Sequence, residues 1–175
     1  MIINASPLII FSKVNRLDLL NKIFGNLVIA QAVYEEVVEK GVRISAPDAL
    51  LVKAYIESGF IKIKKLDVEG QRKAVLLKKV YRQLDLGESE TIALALQEKE
   101  KNLLIDERIA REIAKIHNLK PYGSLRVLLL AFKDKLITED EVIYLLQEMT
   151  TAKFRLSAEV INQFWMLFNK LKNKK

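Results

Sequence analysis

Acidic and amide side chains occur at four places where predicted strands end or predicted helices begin. They are Asn4 in MIINASPLI, Glu35 and Glu36 in AVYEEVV, Glu88 and Glu90 in LGESETIALAL, and Asp106 and Glu107 in LLIDERIAREIA. Carboxylate and amide oxygens are the ligands that Mg²⁺ and Mn²⁺ prefer. Two carboxylates about 4 Å apart repel by about 4 kcal/mol at an effective dielectric constant near 20. A divalent cation bound between them makes the interaction energy of the group favourable. The pattern therefore predicts a shared, oxygen-lined cation site.

Each of these acids also has a purely structural explanation when it is taken alone. A glutamate in the first helical turn is stabilised by the helix dipole, and an aspartate before a helix can be its N-cap. Glu35 and Glu36 together are also typical of a solvated helix face. Glu88 and Glu90 cannot both point at one site, because residues i and i+2 lie about 200° apart around a helix. Which glutamate of each pair faces inward stays open at this stage.

The composition favours a single globular domain that acts on a polyanion. The chain has 175 residues, half of them hydrophobic and 29% charged, and its formal charge of +7 fits a nucleic acid partner, although many basic proteins bind none. It contains no cysteine and one histidine, which excludes disulfides, thiolate nucleophiles and Cys-ligated zinc. Without a signal-peptide pattern or an apolar run long enough for a membrane span, we expect a cytoplasmic protein without membrane contact.

Hydrophobic periodicity predicts alternating strands and helices. The predicted strands cover residues 1–3, 27–30, 60–66, 103–105 and a short segment through Tyr122, and FIKIKKL alternates as an edge strand does. The predicted helices cover residues 8–24 after a Ser6–Pro7 start, 31–40 up to Gly41, 47–58, 68–84, 88–99 after Gly87, 109–117, 124–133, 139–149 and 158–171. This alternation is typical of an α/β protein with a parallel sheet and helices on both faces.

Four segments in this order, NASPLI, AVYEEVV, LGESETIALA and LLIDERIAREIA, resemble the PIN-domain nucleases. They are most similar to a branch of small prokaryotic PIN-like proteins that share an SPLI start, a GExE helix and an ID(D/E)xxAR segment, and FRLSAEVI also resembles that branch. The resemblance implies a three-layer α/β/α fold, with residues 1–150 as the PIN-like domain and 151–175 as a helical C-terminal extension with a basic tail. It also implies Mg²⁺- or Mn²⁺-dependent cleavage of single-stranded RNA, often by the toxin of a toxin–antitoxin pair.

The same resemblance assigns roles to individual residues. It implies catalytic roles for Asn4, Glu36, Glu90 and Asp106, with Glu90 in a better register than Glu88. The implied metal ligands are Asn4, Glu36, Glu88, Glu90, Asp106 and Glu107, and Ser6 and Ser124 match small hydroxyl positions near the family's site. Arg108 and Arg126 are further candidate substrate-binding residues, although Arg126 departs from the small residue that is usual in the family and could instead cover a helix surface. RNA, a protein antitoxin and a second copy of the chain are the implied partners.

Asn4 supports an alternative function. Most active PIN nucleases have an aspartate where this chain has Asn4, so one negative charge is missing from the predicted site. The alternative is a catalytically weak or inactive PIN-like module that binds RNA or a protein. A nucleotide-binding α/β module is disfavoured, because no glycine-rich phosphate loop follows a predicted strand.

Several other residues are open to two interpretations. Arg108 and Arg111 either clamp a scissile phosphate or pair with acids at helical spacing, as Glu107 and Arg111 would. His117 is interpreted as a helix C-terminal residue. The aromatic stripe of Phe164, Trp165 and Phe168 is either a core or dimer surface or a stacking platform for bases. The terminal lysines are interpreted as a solvated tail.

Overall fold

The central sheet places its polar strand ends at one edge of the molecule. The computed structural model describes residues 1–173, which form five parallel strands: β1 (Ile2–Ile3), β2 (Leu27–Ala30), β3 (Ile61–Lys64), β4 (Asn102–Leu104) and β5 (Lys120–Tyr122). Their order is β3-β2-β1-β4-β5. β2 and β3 thus follow β1 on one side of the sheet, and β4 and β5 lie on the other side of β1. Such a switch point opens a crevice outside the carboxyl ends of the two central strands.

Helices cover both faces of this sheet, which confirms the predicted α/β architecture. They are α1 (Ala5–Lys13), α2 (Leu17–Phe24), α3 (Gln31–Tyr34), α4 (Lys40–Arg43), α5 (Pro47–Glu57), α6 (Val68–Val80), α7 (Leu86–Gln97), α8 (Arg108–Ile116), α9 (Ser124–Lys133), α10 (Glu139–Thr151) and α11 (Ala158–Lys172). A π-helical segment, Glu35–Glu39, joins α3 to α4. Among residues 1–173, no helix combines the length and apolar composition that crossing a bilayer requires.

The burial of the strands follows their place in the sheet. β1 and β4 pair through residues that are apolar and buried, Ile2 with Leu103 and Ile3 with Leu104, as expected for central parallel strands covered on both faces. β3 lies at the end of the strand order, next to β2, and its more buried isoleucines alternate with solvent-exposed lysines. The predicted edge position of this strand is therefore confirmed.

The first predicted helix is in fact two helices. Residues 8–24 were expected to be continuous, but α1 ends at Lys13 and α2 begins at Leu17, with Asn15 in the left-handed region at φ 51°. Asparagine tolerates this conformation better than most residues. The helix also begins earlier than the Ser6–Pro7 pattern predicted, since Asn4 occupies the N-cap position. No side-chain cap forms there, because the Asn4 side chain is bonded elsewhere.

Two predicted glycine stops lie inside helices. Gly41 belongs to α4, where a Cβ atom would come within 2.5 Å of the Ala49 Cβ, so its role is the close packing of α4 on α5. Gly87 lies in the first turn of α7, which begins at Leu86 rather than at Glu88. In both cases the glycine permits close approach to another segment and does not end a helix.

The C-terminal helix shares the apolar core. The Phe132 ring on α9 lies 4.7 Å from the Phe168 ring on α11, and Phe164 stacks 6.1 Å from Phe168. Because Phe164 and Phe168 are both buried, the core interpretation of this aromatic stripe is confirmed for these two residues. Of the predicted basic tail, Lys172 ends α11 and pairs with Glu139, whereas Lys174 and Lys175 lie outside the described residues.

Candidate active site

A cavity of about 790 Å³ lies at the switch point of the sheet. Asn4 follows β1 and Asp106 lies two residues beyond β4, so the two central strands deliver one polar side chain each to its floor. The other oxygen-bearing acids that line the cavity are Glu36, Asp85, Glu88 and Glu107. The predicted convergence of distant acids at the strand ends is therefore found for most of the predicted residues.

Asp106 is held by a set of short hydrogen bonds. The backbone N–H and the hydroxyl of Ser124 each donate to its carboxylate at 2.7 Å, and the Ser6 hydroxyl donates at 3.5 Å. The Arg111 guanidinium donates to the Asp106 backbone carbonyl. Burial raises the pKa of Asp106, while the Ser124 hydrogen bonds and the Arg111 charge oppose that rise. These hydrogen bonds hold the Asp106 side chain in one orientation at the N-terminus of α9.

Asn4 is also fixed, by contacts from α7. It is 5% exposed, its backbone N–H donates to the Leu104 carbonyl at 2.9 Å, and its side-chain oxygen accepts from the Thr91 hydroxyl at 3.1 Å. A Cβ on Gly87 would lie 3.5 Å from that oxygen and 3.2 Å from a Glu36 oxygen. Gly87 therefore lets the first turn of α7 approach both side chains.

Glu88 is a buried carboxylate that forms no ion pair with any of residues 1–173. It forms a capping box with Asp85: the Glu88 N–H donates to the Asp85 carboxylate at 2.7 Å, and the Asp85 N–H donates to the Glu88 carboxylate at 2.9 Å. Burial, together with the charges of Asp85, Glu107 and Glu36, outweighs the hydrogen bond from Asp85 and raises the pKa of Glu88 to about 7. A cation bound beside Glu88 would lower this pKa and favour the charged carboxylate.

Glu36, not its neighbour Glu35, faces this cluster. The Glu35 carboxylate accepts a hydrogen bond from Gln31 at 3.0 Å on the exposed side of the helix. Glu36 lies in the π-helical segment, a distortion that occurs frequently at functional sites. Burial first and then the Asp85 charge raise the pKa of Glu36, against the Lys40 charge.

The structure corrects the expected position of Glu90. Its carboxylate accepts the backbone N–H of Ala32 at 2.9 Å, so it caps the first turn of α3. It lines a separate groove between α6 and α7 rather than the acidic cavity. In this structure Glu88, and not the preferred Glu90, is therefore the α7 glutamate that lines the acidic cavity.

The isosteric variants Glu90→Gln and Glu88→Gln test where these two glutamates lie. Glu90→Gln retains an oxygen for the Ala32 N–H and should leave any nuclease rate within about twofold, as exposed or peripheral substitutions usually do. Glu88→Gln should lower that rate by at least about tenfold, the range seen when a group supporting a metal site is lost. Rates of RNA cleavage by the two purified variants test this. The opposite order of effects would contradict the placement of both glutamates.

Most of the other residues predicted for the site line the cavity, but Arg126 does not. Ser6 and Ser124 contact Asp106, and Glu107 is exposed at the start of α8. Arg108 lines the cavity but pairs with Glu112 at 3.1 Å, and Arg111 bonds the Asp106 carbonyl instead of Glu107. Arg126 is not part of the cavity lining; its guanidinium stacks 4.5 Å over the Tyr122 ring. His117 is the C-cap residue of α8, as interpreted from the sequence.

Asp85 is a site residue that the sequence interpretation missed. Its signal was present in DLGE, where an aspartate followed three residues later by a glutamate is typical of a capping box. The cations Lys153 and Arg155 of the segment between α10 and α11 were also missed as cavity residues. No local pattern places them there, since their position depends on how α11 packs.

The oxygen donors fit a hard divalent cation in kind and in charge. Within residues 1–173, no three histidine, cysteine, aspartate or glutamate side chains lie close enough to hold a metal ion by themselves. Mg²⁺, however, commonly binds through one or two carboxylates and keeps several waters. The cluster provides the Asn4 amide oxygen beside the carboxylates of Glu36 and Glu88, and burial, with the charge of Asp85, raises the pKa of both carboxyl groups.

A comparison with protein families gives the class of this fold. A family model described as a PIN domain matches residues 1–170, and the chain belongs to that family. PIN domains are generally nucleases and typically use divalent metals. No curated protein matches the sequence significantly.

Proposed function

We propose that this protein is a PIN-type, metal-dependent endonuclease that hydrolyses phosphodiester bonds of single-stranded RNA. The observation that supports this most directly is the cluster of Glu36, Glu88 and Asp106 with Asn4 in one cavity at the switch point of the sheet. Desolvation raises the pKa of all three carboxyl groups and outweighs the charges of Arg111 near Asp106 and Lys40 near Glu36, so grouping them is costly unless a cation binds there. A divalent cation removes that cost.

In this proposal Asn4, Glu36, Glu88 and Asp106 surround Mg²⁺ or Mn²⁺, which would keep several of its waters, so that only one or two of the carboxylates need bind it directly. When bound, such an ion lowers the pKa of water and neutralises charge on a phosphoryl oxygen. Ser124 and Ser6 orient Asp106 through its two oxygens, and the Asp85 N–H fixes one oxygen of Glu88. These contacts hold the carboxylates in place, which reduces the reorganisation needed when substrate enters.

The proposed function predicts cleavage that requires a divalent metal. A mixed pool of single-stranded RNA should yield shorter products with Mn²⁺ or Mg²⁺, and EDTA should abolish them. Products are followed by denaturing electrophoresis. A DNA pool of the same sequences shows whether cleavage depends on ribose rather than deoxyribose. Cleavage that persists unchanged in EDTA would contradict the metal-dependent mechanism.

A second candidate function is a PIN-like module that binds RNA or a protein without cutting. Asn4 favours it, because the amide supplies an oxygen but no negative charge to the cluster. RNA that is retained by the protein but not cleaved in any metal would support this candidate over the nuclease. The toxin role, the antitoxin partner and the homodimer remain predictions from the family resemblance.

A further inference from the structure

One wall of the acidic cavity is cationic, and the proposed mechanism does not use it. The segment Lys153–Ser157, which connects α10 to α11 and is here called the strap, lines the same cavity as the acids. It carries Lys153 and Arg155, and it contains the start of the FRLSAEVI motif. None of the residues of this motif is among the proposed metal ligands.

The strap is fixed at both ends. At its start, the Lys153 N–H donates to the Thr150 carbonyl and the Phe154 N–H donates to the Met149 carbonyl, each at 3.0 Å. At its end, Ser157 caps α11 by accepting the Val160 N–H at 3.3 Å. Exposure alternates along it, so that Phe154 and Leu156 pack on the core while Lys153 and Arg155 stay exposed. Its two cations are therefore presented by an anchored segment.

The strap cations differ from the other cations of the cavity in having no protein acceptor. Arg108 is paired with Glu112, and Arg111 donates to the Asp106 carbonyl. Within residues 1–173, the side chains of Lys153 and Arg155 form no hydrogen bond and no ion pair, although they line the same cavity as five acids. They are thus available to an anion that enters the cavity.

We propose that the strap is a phosphate-binding subsite, in which Arg155 and Lys153 bind backbone phosphates of single-stranded RNA next to the phosphate held at the acids. This inference rests on the proposed function and specifies how its substrate is held. An acidic floor repels a polyanion, so a binding groove needs positive charge on a wall near it. Arg155 offers a planar fork for bidentate phosphate contact, and Lys153 a point charge.

A pair of charge-matched double variants tests the subsite. Arg155→Ala/Lys153→Ala removes the strap cations, and Arg82→Ala/Lys170→Ala removes two exposed cations that do not line the cavity, so both proteins lose the same net charge. Binding of a fluorescent single-stranded oligoribonucleotide of mixed sequence is measured by anisotropy in EDTA over a range of NaCl concentrations. Each lost phosphate contact lowers the slope of log affinity against log salt by about 0.7 on a single strand.

The strap variant is expected to bind roughly tenfold more weakly at low salt, with the salt slope reduced by about 1.4. The control variant should keep the wild-type slope, and Arg155→Lys should retain most of it. Equal slopes for strap and control variants would overturn the subsite, while metal-dependent cleavage by the wild type would leave the proposed function standing. If EDTA abolishes binding, the comparison is made on KM in Mn²⁺, where an unchanged KM for the strap variant overturns the proposal. A wild-type protein that neither binds nor cuts RNA would overturn both.

Discussion

Asp106→Asn is expected to lower metal-dependent RNA cleavage by at least about 100-fold. Asp106 follows the buried strand β4 and has both carboxylate oxygens oriented by Ser124 and Ser6. The substitution removes one negative charge from the proposed metal site while preserving the shape of the side chain. Even residues that only support metal ligands change affinity or activity by about 10–100-fold when they are lost, so a ligand should cost more. Initial rates with saturating Mn²⁺ measure the effect.

The matched control for this variant is Asp134→Asn. Asp134 is exposed at the C-cap of α9 and does not line the cavity, so the same chemical change there should leave the rate within about twofold. The Asp106 variant should remain folded, because the amide oxygen can still accept the Ser124 N–H. A folded Asp106→Asn protein with the wild-type rate would remove this residue from the mechanism and favour the binding module.

Asn4 and Asp106 could be placed in the site from the sequence because each lies just beyond a short apolar strand. In a parallel sheet all carboxyl ends lie at one edge, so the type and order of the elements were sufficient. The glutamates required the orientation of a helix about its own axis, which is set by how the helix packs on its neighbours. In α7 this packing directs Glu90 to the Ala32 N–H and leaves Glu88 lining the cavity, which the sequence preference for Glu90 did not anticipate.

The division of residues 8–24 into two helices depended on information that periodicity does not contain. The helical spacing of apolar residues includes both Val14 and Leu17, so it does not reveal that the helix stops between them. The break is seen only in the left-handed backbone of Asn15. The strap was beyond sequence analysis for a related reason. Its cations reach the cavity only because Phe154 and Leu156 pack on the core and α11 packs on α9, and these contacts join residues distant in the chain.

Phe168→Ala is expected to destabilise the whole protein by about 3–5 kcal/mol, the usual cost of truncating a buried phenylalanine. Phe168 is 1% exposed and contacts the rings of Phe132, Phe164 and Trp165. For a chain of this length the corresponding fall in Tm is about 6–20 °C. Because α11 contributes to the common core, thermal unfolding followed by circular dichroism should remain a single transition that moves as a unit.

Met166→Ala on the same helix is the control, since Met166 is 61% exposed and its truncation should change stability by less than about 0.5 kcal/mol. The two variants also separate the extension from the rest of the fold. If Phe168→Ala produced an early transition for α11 alone, with the main transition unmoved, residues 151–175 would be an independent unit. The strap would then lose its anchor before the sheet unfolds, and KM for RNA would rise at temperatures where the acidic cluster is still intact.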